Sequence, residues 1–301
     1  MLSRKLMGRP RIEMALSRQG VTDALLLGRY NHTSARPGLS EHAHEGAMEI
    51  CYLVKGHQTY RVGEREYRLN GGDVFVTFPG ERHDTAGFPE EKGVLYWMVL
   101  RVSPPGGEFL GVARAQGRAL LRALRGIKYR HFRGSWTMKE HLDAVTRLFH
   151  LQEDPVRVFA MANRIGAFLL EVIASAQSAP FHPPTRPLQP ILAFIEQHLD
   201  EAPAVSRLAA QAGLSVPRFK ARFRQEFGVP PAEYVLRARI EEARRRLTDG
   251  NASITQIAYD LGFSSSQYFA TVFKRFAGFP PGALRNRARG KLSRSKSGRD
   301  I

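Results

Sequence analysis

Leu208-Ala209-Ala210-Gln211-Ala212-Gly213-Leu214-Ser215 and Ile257-Ala258-Tyr259-Asp260-Leu261-Gly262-Phe263-Ser264 are two copies of one pattern, set 49 residues apart. Beyond the serine the offset becomes 50, and Phe219, Phe223, Gly228, Pro230 and Pro231 return as Phe269, Phe273, Gly278, Pro280 and Pro281. In each copy a small Ala lets two helices approach, and a Gly four residues later permits a sharp turn. Ser215, with Pro217 just inside, predicts the N-cap of a second helix, as does Ser264 or Ser265 in the other copy. Between the copies, residues 232–249 read as one helix stopped by Gly250. The spacing therefore predicts two helix-turn-helix units joined by a long helix, an all-α unit over residues 191–288.

Helical geometry assigns faces to each second helix. With about 100° per residue and Phe219 taken as the buried direction, Phe223 shares its side, while Pro217, Ala221 and Arg224 point opposite, flanked by Lys220 and Gln225. In the later copy Phe269, Phe273 and Phe276 are inward; Gln267, Thr271 and Lys274 are outward. Gln suits adenine edges, Lys or Arg suits guanine or phosphate, and Thr reaches a thymine methyl. A helical core with a solvated basic face is the plain alternative for one copy, and two copies in register weigh against it.

This half resembles the AraC/XylS-type DNA-binding domain. The residues that carry the resemblance are Arg239-Ile240-Glu241-Glu242-Ala243-Arg244-Arg245-Arg246-Leu247, Ile254 to Ser264, Tyr268 to Phe276, and Gly278-Phe279-Pro280-Pro281-Gly282-Ala283-Leu284-Arg285. The resemblance implies seven helices and two recognition helices in successive major-groove segments of promoter DNA, about one helical turn apart. By position it implies Pro217, Lys220 and Ala221 as base readers in the first unit, and Ser266, Gln267 and Thr271 in the second. The family commonly has Arg where this chain has Ala221 and Thr271. Arg218 joins the DNA-facing set, and Arg224, Lys274 and Arg275 are expected to clamp phosphates, which positions without specifying sequence.

The composition of the 301 residues agrees. There are 45 Lys plus Arg against 28 Asp plus Glu, a net charge of +17, and 43% hydrophobic residues, which excludes wholesale disorder. No unbroken apolar window reaches the ~18 residues of a membrane helix, and the best, Ile165 to Ala176, is interrupted by Glu171. The N-terminal stretch is basic without an apolar region, so no signal peptide is expected. One cysteine, Cys51, excludes an internal disulfide and fits a reducing compartment, hence a cytoplasmic location with no membrane partner. Cys51 reads as a small buried hydrophobe, with redox sensing as the alternative. The charge is uneven: residues 41–100 carry −4, whereas residues 101–150 carry +7.

The acidic stretch reads as β structure. Glu49–Val54, Gln58–Val62, Glu66–Leu69 and Asp73–Phe78 are short, β-branched or aromatic runs parted by Lys55-Gly56 and Asn70-Gly71-Gly72, and Gly93–Val102 is a further strand. Such spacing implies a sandwich or barrel. After Pro104-Pro105-Gly106-Gly107 the period turns helical, around Leu120, Leu121 and Leu124, then Leu142, Val145, Leu148 and Phe149, then Val156 to Ala176. Residues 179–190, rich in proline, read as a linker, residues 1–20 as a basic arm and residues 289–301 as a basic tail.

His42, His44 and Glu49, with His83 following after 34 residues in Pro79-Gly80-Glu81-Arg82-His83, form a metal-ligand type of set. On a strand His42 and His44 share a face, and three imidazoles with a carboxylate suit Fe(II), Mn(II), Ni(II) or Zn(II). The arrangement resembles the cupin motifs, including Gly56 and the Gly72-Asp73 turn, with Phe78 where a cupin usually has proline. Regulators of the AraC type often carry a cupin-like sensor in front of the DNA-binding domain. Three roles stay open for the set: a divalent metal site, a metal-free effector pocket that also takes in Arg82 and Tyr52, or a structural cluster. Tyr60, Tyr67, Phe75 and Trp97 are further wall candidates.

The expected architecture is thus an α+β two-domain chain, a cupin-like barrel with a helical appendage over residues 21–178 and the all-α unit after it. The expected function is a ligand-responsive transcriptional regulator, not an enzyme. Its expected partners are promoter DNA, a small-molecule effector, a second copy of itself through the appendage and, for an activator, RNA polymerase. The rivals are a cupin metalloenzyme fused to a DNA-binding module and an architectural DNA binder without effector.

Overall fold

Sixteen residues, Ala47–Val62, form the strand β3 around which the N-terminal half is organised in the computed structural model. The structure describes residues 10–104, 109–152, 154–177, 188–201, 203–249 and 252–286. The basic tail and most of the linker lie outside the described residues, as do the first nine residues. The other strands are β1 (Arg11–Met14), β2 (Ala24–His32), β4 (Arg65–Asn70), β5 (Asp73–Thr77), β6 (His83–Asp84), β7 (Gly93–Arg101) and β8 (His131–Arg133). Their order is β1-β2-β7-β3-β5-β8, all antiparallel, with β4 and β6 paired to the far end of β3.

Lys55-Gly56, expected as a turn, lies inside β3. The ladder with β7 slips by one residue between Leu53 and Lys55, and Gly56 takes φ +103°. A bulge of this kind bends a strand rather than ending it. The first part of β3 pairs with β7 and β5, and residues 57–62 pair with β4. A Cβ on Gly56 would stand 2.5 Å from the Lys92 carbonyl oxygen, so the bend requires glycine.

Both faces of this sheet are buried, which is why β3 reads as a continuous apolar run instead of an alternation. Met48, Ile50, Tyr52 and Val54 lie in one core with Tyr96, Met98 and Leu100 of β7. Ala47, Cys51 and Leu53 lie in another with Leu95, Trp97, Val99, Tyr30, Tyr60 and Phe75, the inside of the barrel. Three helices cover the first face: α1 (Arg114–Arg125), α2 (Thr137–Phe149) and α3 (Pro155–Gln177). They insert Leu121, Leu124, Met138, Leu142, Val145, Ile165, Phe168 and Val172. Helix α3 is long and apolar enough to cross a membrane on length and composition, but its buried residues pack into this core and Arg164, Asn163 and Glu171 lie elsewhere on its surface.

The basic arm is corrected over residues 10–20. Arg11–Met14 pair with β2, and Ile12, Met14 and Leu16 are core residues. Besides β1, three strands escaped sequence reasoning, β2, the two-residue β6 and the three-residue β8. In β2, Gly28 makes room for the Trp97 indole, whose Cε2 would be 2.0 Å from an added Cβ.

In the C-terminal half the helices are α4 (Gln189–Gln197), α5 (Val205–Gln211), α6 (Val216–Phe227), α7 (Pro231–Asp249), α8 (Ile254–Asp260) and α9 (Ser266–Ala277), and residues 281–286 are helical too. That makes seven helical segments among the described residues, and the first begins at residue 189, inside the expected linker, with Leu188 buried against it. Helix α7 is shared by two cores. Val235 packs with Leu208, Phe219 and Phe223, while Ile240, Ala243 and Leu247 pack with Ile257, Phe269 and Phe273. Contacts between residues divide the chain into Met1–His32 with Gly38–His182 and Thr33–Pro37 with Pro183–Ile301.

Candidate effector cluster and nucleic-acid interface

Glu49 sits on the inner face of β3, opposite Thr77 of β5 and Val99 of β7. His83 begins β6, and His42 is paired to it through both backbone hydrogen bonds, at 3.1 and 2.9 Å. The topology thereby gathers residues from three separate stretches. One ligand atom from each of His42, His44, Glu49 and His83 lies within 4.8 Å of the others. The His83 Nε2 is 2.8 Å and the His44 Nε2 3.4 Å from the Glu49 Oε2. Glu49 and His83 are buried, and His42 and His44 are half-buried at the rim.

Burial alone would raise the Glu49 pKa, yet hydrogen bonds from His44 and His83 outweigh it and bring it down to about 2. For His83 burial works against the charged form, and its bond to Glu49 overcomes this and raises its pKa. Backbone carbonyls orient two of the rings: His42 Nδ1 is 2.9 Å from the Ser40 oxygen and His83 Nδ1 is 3.0 Å from the Glu81 oxygen. A ring that donates from Nδ1 to a carbonyl turns Nε2 towards the cluster, the arrangement that outer-shell partners impose on metal-bound histidines.

Of the expected wall residues, Tyr60, Tyr67, Phe75 and Trp97 do line the inner core, with Tyr60 and Phe75 stacked at 4.9 Å. Cys51 is buried there, its Sγ 3.8 Å from Glu49 Oε1 and 3.7 Å from the Tyr60 hydroxyl, and burial pushes the thiol pKa up, away from the reactive thiolate. Two expectations fail. Tyr52 projects from the opposite face of β3, as strand alternation requires of a residue three positions from Glu49, and its hydroxyl donates to the Ser135 carbonyl at 2.9 Å beneath the helices. Arg82 is exposed and bonded to Glu41 at 2.8 Å, and is not part of the donor cluster. Sequence reasoning missed Tyr30 because β2 was not read as a strand, and did not single out Gln58 on a strand that was read; the Tyr30 hydroxyl donates to the Gln58 Oε1 at 3.2 Å, both buried.

In the C-terminal half Gly213 and Gly262 take left-handed backbone, φ +65° and +68°, at the two turns. Ser265 caps α9 by accepting from the Tyr268 N–H at 3.1 Å; Ser215 occupies the cap position of α6 without such a bond. Phe219, Phe223, Phe269 and Phe273 are fully buried and Phe276 nearly so. The opposite faces present Pro217, Arg218, Lys220, Ala221 and Arg224 on α6, and Gln267, Thr271 and Lys274 on α9, all exposed. Ser266 is half-buried, its hydroxyl 3.3 Å from the Gln267 side-chain oxygen. Arg275 departs from the expected phosphate row: it is half-buried, with its guanidinium 5.1 Å from the Phe276 ring centre. Tyr268 and Tyr259, exposed by about half, add aromatic surface that sequence reasoning did not single out.

Behind the second unit, Arg239 of α7 is buried and donates to the Leu199 and Asp200 carbonyls, with its guanidinium 5.8 Å from the Phe263 ring. This arginine, read from sequence as part of a motif, ties the loop before α5 to the second helix-turn-helix.

Two family profiles match the chain, one described as an AraC-like ligand binding domain over residues 29–152, the other as a helix-turn-helix domain over residues 208–287. The MmsAB operon regulatory protein of Pseudomonas aeruginosa is 24% identical over 265 residues, 87% of this chain and 82% of that protein. The HTH-type transcriptional activator RhaS of Salmonella schwarzengrund is 25% identical over 248 residues, 81% of this chain and 87% of that protein. Among solved structures, the DNA-binding domain of AdpA in complex with a target DNA is 32% identical, with a TM-score of 0.34, over 35% of this chain and 95% of that one. The first profile falls on the sheet and helices that enclose Glu49, the second on the doubled helix-turn-helix. The chain belongs to the AraC-type family of DNA-binding transcriptional regulators, with a ligand-binding domain ahead of its two helix-turn-helix units.

Proposed function

We propose that this regulator is switched by a small-molecule effector bound on the inner face of the barrel, at His42, His44, Glu49 and His83. The observation that carries the reading is the convergence of four donor groups from three chain segments within 4.8 Å, beside an aromatic wall. Occupancy there changes the affinity of the helix-turn-helix units for their promoter, a coupling between two sites. Mapping the bound promoters would point to the operon whose metabolites are to be tried. The effector so found should raise the melting temperature of the wild type and shift its promoter affinity, and Glu49→Gln with His83→Ala should lose both responses. An effector that acts equally on the variant would place the site elsewhere.

A second reading of the same cluster is a divalent metal site, favoured by the two Nδ1-to-carbonyl contacts that turn His42 and His83 inward. Bound there, the ion would offer open coordination positions to an oxygen or nitrogen donor of the effector. Dialysis against Zn(II), Mn(II), Ni(II) or Fe(II) should leave about one ion per chain in the wild type and none in His42→Ala/His83→Ala. Wild-type protein without stoichiometric metal would remove this reading and leave the metal-free pocket.

The chain acts as a regulator rather than a catalyst, in the cytoplasm, without a membrane partner. It works as a homodimer through the outer stripe of α3, where Val156, Phe159 and Leu170 are 74%, 70% and 62% exposed. Apolar side chains so open to water favour a covering partner. Phe159→Asp should shift the sedimenting species from dimer to monomer. Where it activates, RNA polymerase is its further partner, a reading supported by the relative named a transcriptional activator.

A further inference from the structure

Helix α1 reads Arg114-Ala115-Gln116-Gly117-Arg118-Ala119-Leu120-Leu121-Arg122-Ala123-Leu124-Arg125 and contains no acidic residue. Arg114, Arg118 and Arg122 recur every four residues, so they share one face, and all three are exposed. The other face is fixed by Gly117, Leu121 and Leu124, which are buried. Like charges four residues apart destabilise a helix, so such a row is kept against the helix's own preference. Some other arginines find carboxylates: Arg222 with Glu226, Arg245 with Glu242, Arg82 with Glu41. Among the described residues, Arg118 and Arg122 have none within 4.0 Å. The same two arginines, with Leu121, Arg125, Ser103 and Pro104, line an open groove of about 440 Å³ beside the helix. Arg125 closes its end by donating to the Ser103 hydroxyl at 3.2 Å.

We propose that this face of α1 is a second DNA contact, in which Arg118 and Arg122 neutralise backbone phosphates outside the base pairs read by the helix-turn-helix units. The row is the length such a contact needs. Arg114 to Arg122 advances about 12 Å along the helix at 1.5 Å per residue, and the same length of duplex axis passes three to four phosphates of one strand. The ligand class follows from the charge pattern: several positive groups in a line, none of them buried, suit a polyanion and not one small anion. Guanidinium groups are suited to phosphate oxygens. The inference rests on DNA binding by the same chain and is independent of what occupies the barrel.

Salt dependence tests it, because each phosphate contact adds about 0.9 to the slope of log K against log salt. The full-length protein is titrated by fluorescence anisotropy onto a random-sequence 60-base-pair duplex between about 50 and 200 mM salt. Arg118→Gln/Arg122→Gln should lower the slope by about 2, Arg118→Lys/Arg122→Lys should restore it, and Arg164→Gln, an exposed arginine on α3, should leave it as in the wild type. An unchanged slope in the glutamine variant, with the helical circular dichroism intact, overturns the proposal. So does a variant that binds the duplex like wild type but loses transcription in the presence of polymerase, which would assign the face to an acidic protein partner. Loss of promoter preference in Lys220→Ala/Gln267→Ala with the α1 contribution to the slope retained on random duplex would separate failure of base reading from failure of this contact.

Discussion

Gly262 and the carbonyl oxygen of Asp200 stand so close that a Cβ on Gly262 would lie 1.9 Å from it, and 2.7 Å from Arg239 Nη2. The turn of the second helix-turn-helix is therefore held against the loop before α5 and against the arginine that ties that loop down. Gly213, at the matching turn, has φ +65° but open space around it. Gly213→Ala should cost about 1–2 kcal/mol, the left-handed backbone penalty alone. Gly262→Ala adds a backbone clash and should cost clearly more than its counterpart. Urea unfolding of the two variants checks the order, and equal losses would refute the role of Asp200.

The buried phenylalanines and the exposed Lys220 and Gln267 lie on opposite faces of their helices. Gln267→Ala and Lys220→Ala should each weaken binding to the cognate promoter by about 1–3 kcal/mol and relax base preference, with stability unchanged. Phe223→Ala and Phe273→Ala remove fully buried rings and should destabilise the fold by about 3–5 kcal/mol. Anisotropy and thermal melting separate the two classes. An unaltered promoter affinity in the Gln267→Ala/Lys220→Ala double variant would reverse the face assignment.

Tyr52 and Tyr60 belong to opposite faces of β3. Tyr52→Phe deletes the bond to the Ser135 carbonyl and should cost about 1 kcal/mol of stability without altering the effector response. Tyr60→Phe alters the wall beside Glu49 and Cys51 and should change the response. A dose-response of promoter binding against effector, run on both variants, distinguishes them.

Acid should weaken the N-terminal unit through Glu90. Burial works against its ionisation, but the hydrogen bond from His32 at 3.3 Å and the contact with Arg11 at 2.8 Å outweigh it, so its pKa falls below the ordinary 4.5. The groups that face it are Arg11 from β1 and His32 and Tyr30 from β2, the last stacked on His32 at 4.3 Å. With the folded value lowered, the unfolded chain binds the proton first, and the stabilisation is complete above about pH 4.5 and lost as pH falls through and below it. Urea midpoints between pH 6 and pH 3 should therefore drop more steeply in the wild type than in Glu90→Gln. Parallel curves would rule this carboxylate out.

The doubled helix-turn-helix was legible residue by residue. Its helices are built on local signals, the turn glycines, the Ser265 cap and the phenylalanines four apart, and Phe219, Phe223, Phe269 and Phe273 are buried where a 100° rotation puts them. The ligand types at His42, His44, Glu49 and His83 were legible too, because spacing along one chain reveals chemistry. What local sequence could not decide was where the chain bends and which strands pair. Gly56 reads as a turn residue but sits in a bulged strand, since the ladders with β7 and β4 hold the backbone on both sides of it. Tyr52 looked like a wall residue and faces the other core, because side-chain direction follows from a register that only long-range pairing sets. Arg11–Met14 look like a charged arm and form an edge strand, held by β2 and by the apolar contacts of Ile12 and Met14. The sequence by itself determined the helical half and the donor set. Tertiary structure decided which residues share the barrel interior, because that depends on hydrogen bonds between residues far apart in the chain.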